Sequence, residues 1–241
     1  MSKTEAHVPS ENLLLASLAA SGYALLHPYL KPVELKQTTI LYEAGEPVDA
    51  VYFPTTALIS LVVTLSTGEA IEAAMVGRDG VVGALAALDG NISLSRAIVQ
   101  MGGYCLHCKP DTLKSVATES AALQSLIMRH EQTVYAQAQQ SAACNATHDI
   151  ESRLARWLLR ARDLSGGDTL PFTQEFLAEM LGVRRTSVSL TAHTLQQAGL
   201  IRYRRGHIQI TDLEGLRETA CECYDTIRKR YSGLLGILTN K

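Results

Sequence analysis

Leu13 to Leu30 is an apolar run broken by Ser21-Gly22, His27 and Pro28. It reads as two short helices, the first capped by Ser10, and it is too short and too interrupted to span a membrane. From about Val33 to Pro110 the pattern changes to short β-rich runs: TTILYEAGEP, AVYFPTTALISLVVTLSTGE, AIEAAMVGRDG and SRAIVQMGGYCLHCKP. Glycines separate them at the spacing of a small antiparallel barrel or sandwich. Leu58 to Leu65 is almost wholly apolar or β-branched, which predicts a central strand. Asp111 to Ser115 reads as a short helix.

Ser120 to His148 has neither proline nor glycine and is rich in Ala, Gln and Leu. The spacing predicts one helix of about 28 residues, about 42 Å long. A row through Leu123, Ile127, His130, Val134, Gln137, Ser141 and Cys144 suits pairing of two such helices; the alternative is a helix lying on its own barrel. Asp149 is an acceptable cap for the next helix, on which Ile150, Leu154, Trp157, Leu158 and Ala161 share a face.

Thr173 to Leu195, TQEFLAEMLGVRRTSVSLTAHTL, carries its small and apolar residues where two short helices and a tight turn need them. Leu177, Leu181, Val183 and Val188 supply the packing, and Ala178 allows close approach. Gly182 ends the first helix in a left-handed conformation that costs it no Cβ clash. Arg184, Arg185, Thr186 and Ser187 would project from the start of the second helix, which in a helix-turn-helix enters the major groove. LIRYRRGHIQITD reads as two strands around Arg205-Gly206, a wing-like hairpin. Asp212 then opens a last helix toward Cys221 and Tyr224.

Charge sharpens this picture. From Glu151 to His207 the basic residues are Arg153, Arg156, Arg160, Arg162, Arg184, Arg185, Arg202, Arg204 and Arg205, against Glu151, Asp163, Asp168, Glu175 and Glu179. The rest of a chain with formal charge −2 is therefore acidic. Gathered positive charge points to phosphate. The 241 residues suffice for two domains, and 46% hydrophobic content supports a core. Five cysteines without a secretory signal imply free thiols in a reducing cytoplasm.

The order of elements resembles the Crp/Fnr family of bacterial transcription regulators. LYEAGEPVDAVYF, IESRLARWLL and TQEFLAEMLGVRRTSVSLTAHTLQQAGLIRYRRGHIQI carry the likeness. It implies an α+β fold. An effector-type antiparallel β-roll or jelly-roll barrel with N-terminal helices occupies residues 1–118. A long dimerisation helix covers 119–148, and a winged helix-turn-helix domain covers 149–241. It implies a homodimer whose seam runs from Leu123 to Cys144 and whose hinge lies at His148-Asp149. The implied partners are double-stranded DNA and, for an activator, RNA polymerase, with no membrane.

The family's effector motifs are not matched. Cyclic-nucleotide binders carry Gly-Glu in the barrel and an Arg followed by Ser or Thr about ten residues later. Here Val82-Gly83-Ala84-Leu85 lacks the glutamate, and Ser95-Arg96-Ala97 leaves Arg96 as the effector candidate or as a solvated strand residue. The oxygen-sensing branch places an iron–sulfur cluster on N-terminal cysteines, and no cysteine precedes Cys105. The expectation is thus no cyclic nucleotide, no iron–sulfur cluster and no other cofactor. Cys144 and His148, one turn apart, could share a metal or simply pack. Cys221 and Cys223, two apart on a helix, would not face each other. In the reading head only Arg185 matches the best-known activator; Thr186 replaces its glutamate and Leu190 its later arginine.

These readings predict a sequence-specific DNA-binding regulator. Arg184, Arg185, Thr186, Ser187 and Ser189 face bases or nearby phosphates, while Thr173, Gln174, Arg204 and Arg205 hold the backbone. The alternative is a ligand-, redox- or metal-sensing module that acts through protein contacts. An enzyme is disfavoured: the chain has no HExxH, no nucleophile elbow and no phosphate-cradling glycine loop.

Overall fold

The computed structural model describes residues 12–235. Ser10, the cap expected from sequence, lies outside them. Asn12 caps α1 (Leu13–Ala16), its side chain accepting from the Leu15 amide at 3.0 Å. Its amide nitrogen also donates to the Pro54 and Gly80 carbonyls at 2.7 and 2.9 Å, fixing the first helices to the roll. α2 (Ala20–Leu26) follows.

The roll contains β1 (Lys31–Leu35), β2 (Ile40–Tyr42), β3 (Val51–Pro54), β4 (Leu58–Thr64), β5 (Ala70–Val76), the short α3 (Ala84–Leu88), β6 (Arg96–Met101) and β7 (Gly103–Cys108). Its strands pair antiparallel in two sheets, ordered β1-β7-β3 and β2-β6-β4-β5. β4 is the expected interior strand, and its near-continuous apolar run has a specific cause. Ile59 faces the roll's own core with Val76, Ala97 and Val99. Leu58 and Val62 face a second core built by Trp157, Leu158, Phe172 and Leu177. One face of the sheet therefore carries the C-terminal unit.

α4 (Pro110–Glu119) leads into α5 (Ala121–Thr147), which Ser120 caps by accepting from the Leu123 amide at 3.3 Å. α6 (Ile150–Ser165) is capped by Asp149, which accepts from the Ser152 amide at 2.9 Å. Then come β8 (Thr169–Leu170), α7 (Gln174–Leu181), α8 (Arg185–Gln197), β9 (Ile201–Arg204), β10 (His207–Ile210), α9 (Leu213–Thr219) and α10 (Cys223–Leu235). Trp157 meets Phe172 edge-on at 4.8 Å between ring centroids, and Phe172 stacks on Phe176 at 5.2 Å, so aromatic packing locks α7 onto α6. Among the described residues no helix is long and apolar enough to cross a membrane.

Two expectations need correction. The row read as a dimer seam is buried within the chain itself. Leu123 and Ile127 join the core formed with Ile227 and Tyr231 of α10. His130 is sealed under the roll, where its Nε2 accepts from the Val81 amide at 3.3 Å. Val134 lines a cavity, Gln137 accepts from the Tyr231 hydroxyl at 3.0 Å, and Ser141 and Cys144 are buried. The physical reason is that α10 turns back from the C-terminal unit and lies along α5. Within the chain that row packs against α10 and the roll.

The second correction concerns charge. Arg153, Arg156 and Arg160 are buried on α6 and do not belong to a phosphate-facing surface. Arg153 donates to the Leu181 carbonyl at the end of α7. Arg160 pairs with Asp79 of the roll at 2.9 Å and sits 4.4 Å from the centre of the Tyr231 ring. Arg153 thus braces α6 against α7, and Arg160 ties the C-terminal unit to the roll and to α10.

Candidate nucleic-acid interface

The site begins with the turn between α7 and α8. Thr173 caps α7, its hydroxyl accepting from the Phe176 amide at 3.2 Å. Gly182 ends α7 at φ 63°, and a Cβ there would also come within 3.2 Å of Ile71 on β5. Val188, Ala192 and Leu195 bury one face of α8 under α6 and α7. The opposite face is left to solvent, with Arg184, Arg185, Thr186, Leu190 and His193 exposed and Ser187 and Ser189 half-buried.

Side chains from α7 brace that face. Ser189 donates to Gln174 Oε1. Arg185 Nη1 lies 3.3 Å from Glu175 Oε2, both side chains well exposed. The wing turns through Arg205 at φ 50° and Gly206 at φ 78°, a two-residue turn that pairs Arg204 with His207. Holding a non-glycine residue in the left-handed region costs about 1–2 kcal/mol. Here it puts the Arg205 guanidinium at the tip. A Cβ on Gly206 would stand 3.5 Å from the Thr173 methyl, so the wing tip lies beside the start of α7. Thr173, Gln174, Arg185 and Ser189 thus gather on one side of the unit, with the wing tip beside them.

The electrostatics of this face favour an anion. α8 has no acidic residue in its first turn, and Arg184 caps it without a side-chain bond. Two guanidiniums, one of them bridged to Glu175, therefore share the positive end of one helix dipole, a place suited to an external phosphate. Leu190, which the sequence shows only as a departure from a family pattern, is 69% exposed. Its signal in the sequence was the α8 period itself: Leu190 falls outside the Val188, Ala192, Leu195 stripe.

Residues 152–219 match the Crp-like helix-turn-helix domain. The whole fold is similar to that of solved regulators of the Crp/Fnr type. The solved structures it resembles include FixK2 from Bradyrhizobium japonicum, at 16% identity and TM-score 0.68 over 80% of this chain and 98% of that one. Two regulators from Thermus thermophilus are also similar. TTHB099, a transcriptional regulator of the CRP family, matches at 22% identity and TM-score 0.65 over 78% and 96%. TTHA1359, a CRP/FNR-family transcriptional regulator, matches at 24% and 0.62 over 79% and 98%. No curated protein matches the chain. The matched domain ends at Thr219, before α10, so the helix that covers α5 lies outside it.

Elsewhere in the chain a cavity of about 550 Å³ opens between the roll and α5. Tyr42, Leu61, Val82, Leu94, Val134 and Tyr135 line it, and its charged lining residues are Asp89 and Glu131. Arg96 is not in the lining; its Nε pairs with Glu43 at 3.2 Å. The local charge is therefore the wrong sign for a phosphate.

The cysteines also depart from expectation. All five are free and buried. Cys105 and Cys108 sit in β7, where burial pushes both thiols up, to about 12 and about 11. Cys144 is held far lower, about 4, chiefly by a hydrogen bond from Cys221, with Arg156 and His148 adding to it. Cys221 and Cys223 do not share a helix: Cys221 precedes α10 and Cys223 begins it. Both sulfurs therefore reach Cys144 and His148, a convergence that two-residue spacing on a helix had excluded.

Proposed function

We propose that this protein is a cytoplasmic, homodimeric, sequence-specific DNA-binding transcription regulator, with α8 in the major groove and the wing on the adjoining backbone. The observation that carries this reading is the exposed, acid-free start of α8 with Arg184, Arg185 and Thr186, on a helix-turn-helix unit locked by aromatic packing. Arg185 and Leu190 face base edges. Arg204, Arg205 and the start of α7 meet phosphates. Dimerisation uses the outer row of α5: Met128, Gln132, Tyr135, Gln139, Ala142 and Ala146 are all exposed and recur at heptad spacing. Two reading helices one turn of duplex apart, about 34 Å, call for a near-palindromic site.

The cavity beside α5 is the place for a signal, and its apolar, acidic lining favours a neutral or cationic ligand over a nucleotide. Tyr135 belongs both to the cavity and to the outer row of α5, so a ligand there touches the surface through which two copies would meet. Selection from a random duplex pool, followed by anisotropy titrations of the selected site against scrambled DNA at several salt concentrations, tests the reading. A near-palindromic consensus bound at least about 10³-fold more tightly than scrambled DNA is expected. Equal, salt-insensitive retention of both, or none, would favour a module acting through protein contacts.

A further inference from the structure

At the C-terminal end of α5, Cys144 and His148 stand one turn apart. Across from them, Cys221 and Cys223 come from the connection between α9 and α10. The three sulfurs and a ring nitrogen of His148 lie within 4.8 Å of one another. Cys144 Sγ is 3.5 Å from Cys221 Sγ, and Cys223 Sγ is 3.6 Å from His148 Nδ1. A tetrahedral ion bonded at about 2.0–2.3 Å to nitrogen and sulfur separates its ligand atoms by roughly 3.3–3.8 Å. Two of the six edges, at 3.5 and 3.6 Å, already have that size, and none of the others exceeds 4.8 Å.

The surroundings match as well. His148 Nε2 is 3.3 Å from Glu222 Oε1, which leaves Nδ1 turned toward the sulfurs. A carboxylate on the outer nitrogen of a metal-binding histidine is the usual way its ring is oriented. Gln140 Nε2 donates to Cys223 Sγ at 3.1 Å. The three cysteines form a small buried cluster apart from the larger cores. Packing alone gives no reason to gather three thiols and an imidazole there.

We propose that Cys144, His148, Cys221 and Cys223 form a Cys3His site for a single tetrahedral, thiophilic divalent cation, zinc by preference, which clamps the start of α10 to the end of α5. Four protein ligands leave no open position, so the site is structural or regulatory rather than catalytic. Donors this close suit one ion. An iron–sulfur cluster takes thiolates around a multi-iron core, commonly four of them. The clamp holds the His148-Asp149 connection, from which α6 and the helix-turn-helix unit depart. The site stands independently of the DNA-binding reading, because its ligands and its test involve no nucleic acid.

The test uses the full chain, reduced and stripped of metal, titrated with Co²⁺. The expected result is one Co²⁺ per chain, with the visible bands of a tetrahedral ion and thiolate-to-cobalt charge transfer, displaced by one equivalent of Zn²⁺. Zn²⁺ should also raise the unfolding temperature. Cys221→Ser and Cys223→Ser should each reduce the charge-transfer intensity, whereas Cys105→Ser should not. Glu222→Gln should keep the spectrum and weaken affinity about 10–100-fold. Its exposed side chain makes it the variant that folds if the cysteine variants do not. The proposal is overturned if folded, reduced wild-type chain binds no Co²⁺ or gives an octahedral spectrum. It also fails if the charge transfer survives unchanged in the Cys221 and Cys223 variants, or if Glu222→Gln leaves affinity unchanged.

Discussion

Trp157 Nε1 donates to Glu72 Oε1 at 2.9 Å, joining a strand of the roll to the first helix of the C-terminal unit. Ser60 donates to the other carboxylate oxygen. Burial pushes the Glu72 carboxyl above the ordinary carboxylate range, with Ser60, Arg156, Trp157 and Arg160 pulling the other way. In the window between the ordinary value and the raised one, the folded chain keeps a proton that the unfolded chain has lost. Stability must therefore fall as pH rises through that window. Glutamine can still accept from Trp157 but does not titrate. Melting temperatures taken from mildly acidic to neutral pH should fall in the wild type and less so in Glu72→Gln. Superimposable profiles would remove Glu72 as the cause.

Asp79 and Arg160 form a pair that is buried on both sides, 2.9 Å apart, between the roll and α6. Removing one partner strands the other charge away from water. Asp79→Asn should destabilise the fold by about 3–5 kcal/mol in urea unfolding. The double variant Asp79→Asn, Arg160→Met should recover part of that loss, because no lone charge remains. Additive losses in this cycle would mean that the two groups do not act as a pair.

Arg185 and Glu175 are the opposite case, an exposed pair worth about 0–1 kcal/mol. DNA would have to draw Arg185 off Glu175. Arg185→Ala should weaken the selected site by about 1–3 kcal/mol and relax discrimination at one base pair. Glu175→Gln should tighten binding by up to about fivefold, since it frees the guanidinium and removes a charge that repels phosphate. Anisotropy titrations on cognate and scrambled duplexes measure both effects. Tighter binding after loss of Arg185, or weaker binding after loss of Glu175, would contradict the assignment.

Local chemistry was legible from the sequence because it is decided by near neighbours. Thr173, Asp149 and Gly182 do what their residue types predict at helix ends, and Arg205-Gly206 makes the wing turn. The unread parts share one cause, contact between segments far apart in the chain. Arg153, Arg156 and Arg160 count as surface charge until Leu181, Asp79 and Tyr231 close over them. Cys221 and Cys223 are two residues apart on any helical wheel, and only the break between α9 and α10 aims both at Cys144. The outer row of α5 is faint in the sequence because its period is carried by Gln and Ala as much as by Met128 and Tyr135.

That row supplies the sharpest test of assembly. Met128 is 48% and Tyr135 67% exposed, large side chains at heptad positions of one helix face. Gln137, two residues from Tyr135, faces inward and holds the Tyr231 hydroxyl. In a two-fold dimer each substitution acts twice. Losing about 1.5–3 kcal/mol per buried large side chain makes about 3 kcal/mol or more per dimer, roughly a 100-fold rise in its dissociation constant. Tyr135→Glu should therefore give a folded monomer by light scattering, with DNA affinity lost in parallel. Gln137→Ala should instead cost about 1–3 kcal/mol of folding stability through the lost acceptor for the Tyr231 hydroxyl and leave self-association unchanged. If Gln137→Ala dissociates the molecule while Tyr135→Glu does not, the seam lies on the inner row after all, and α10 must move off α5 to expose it.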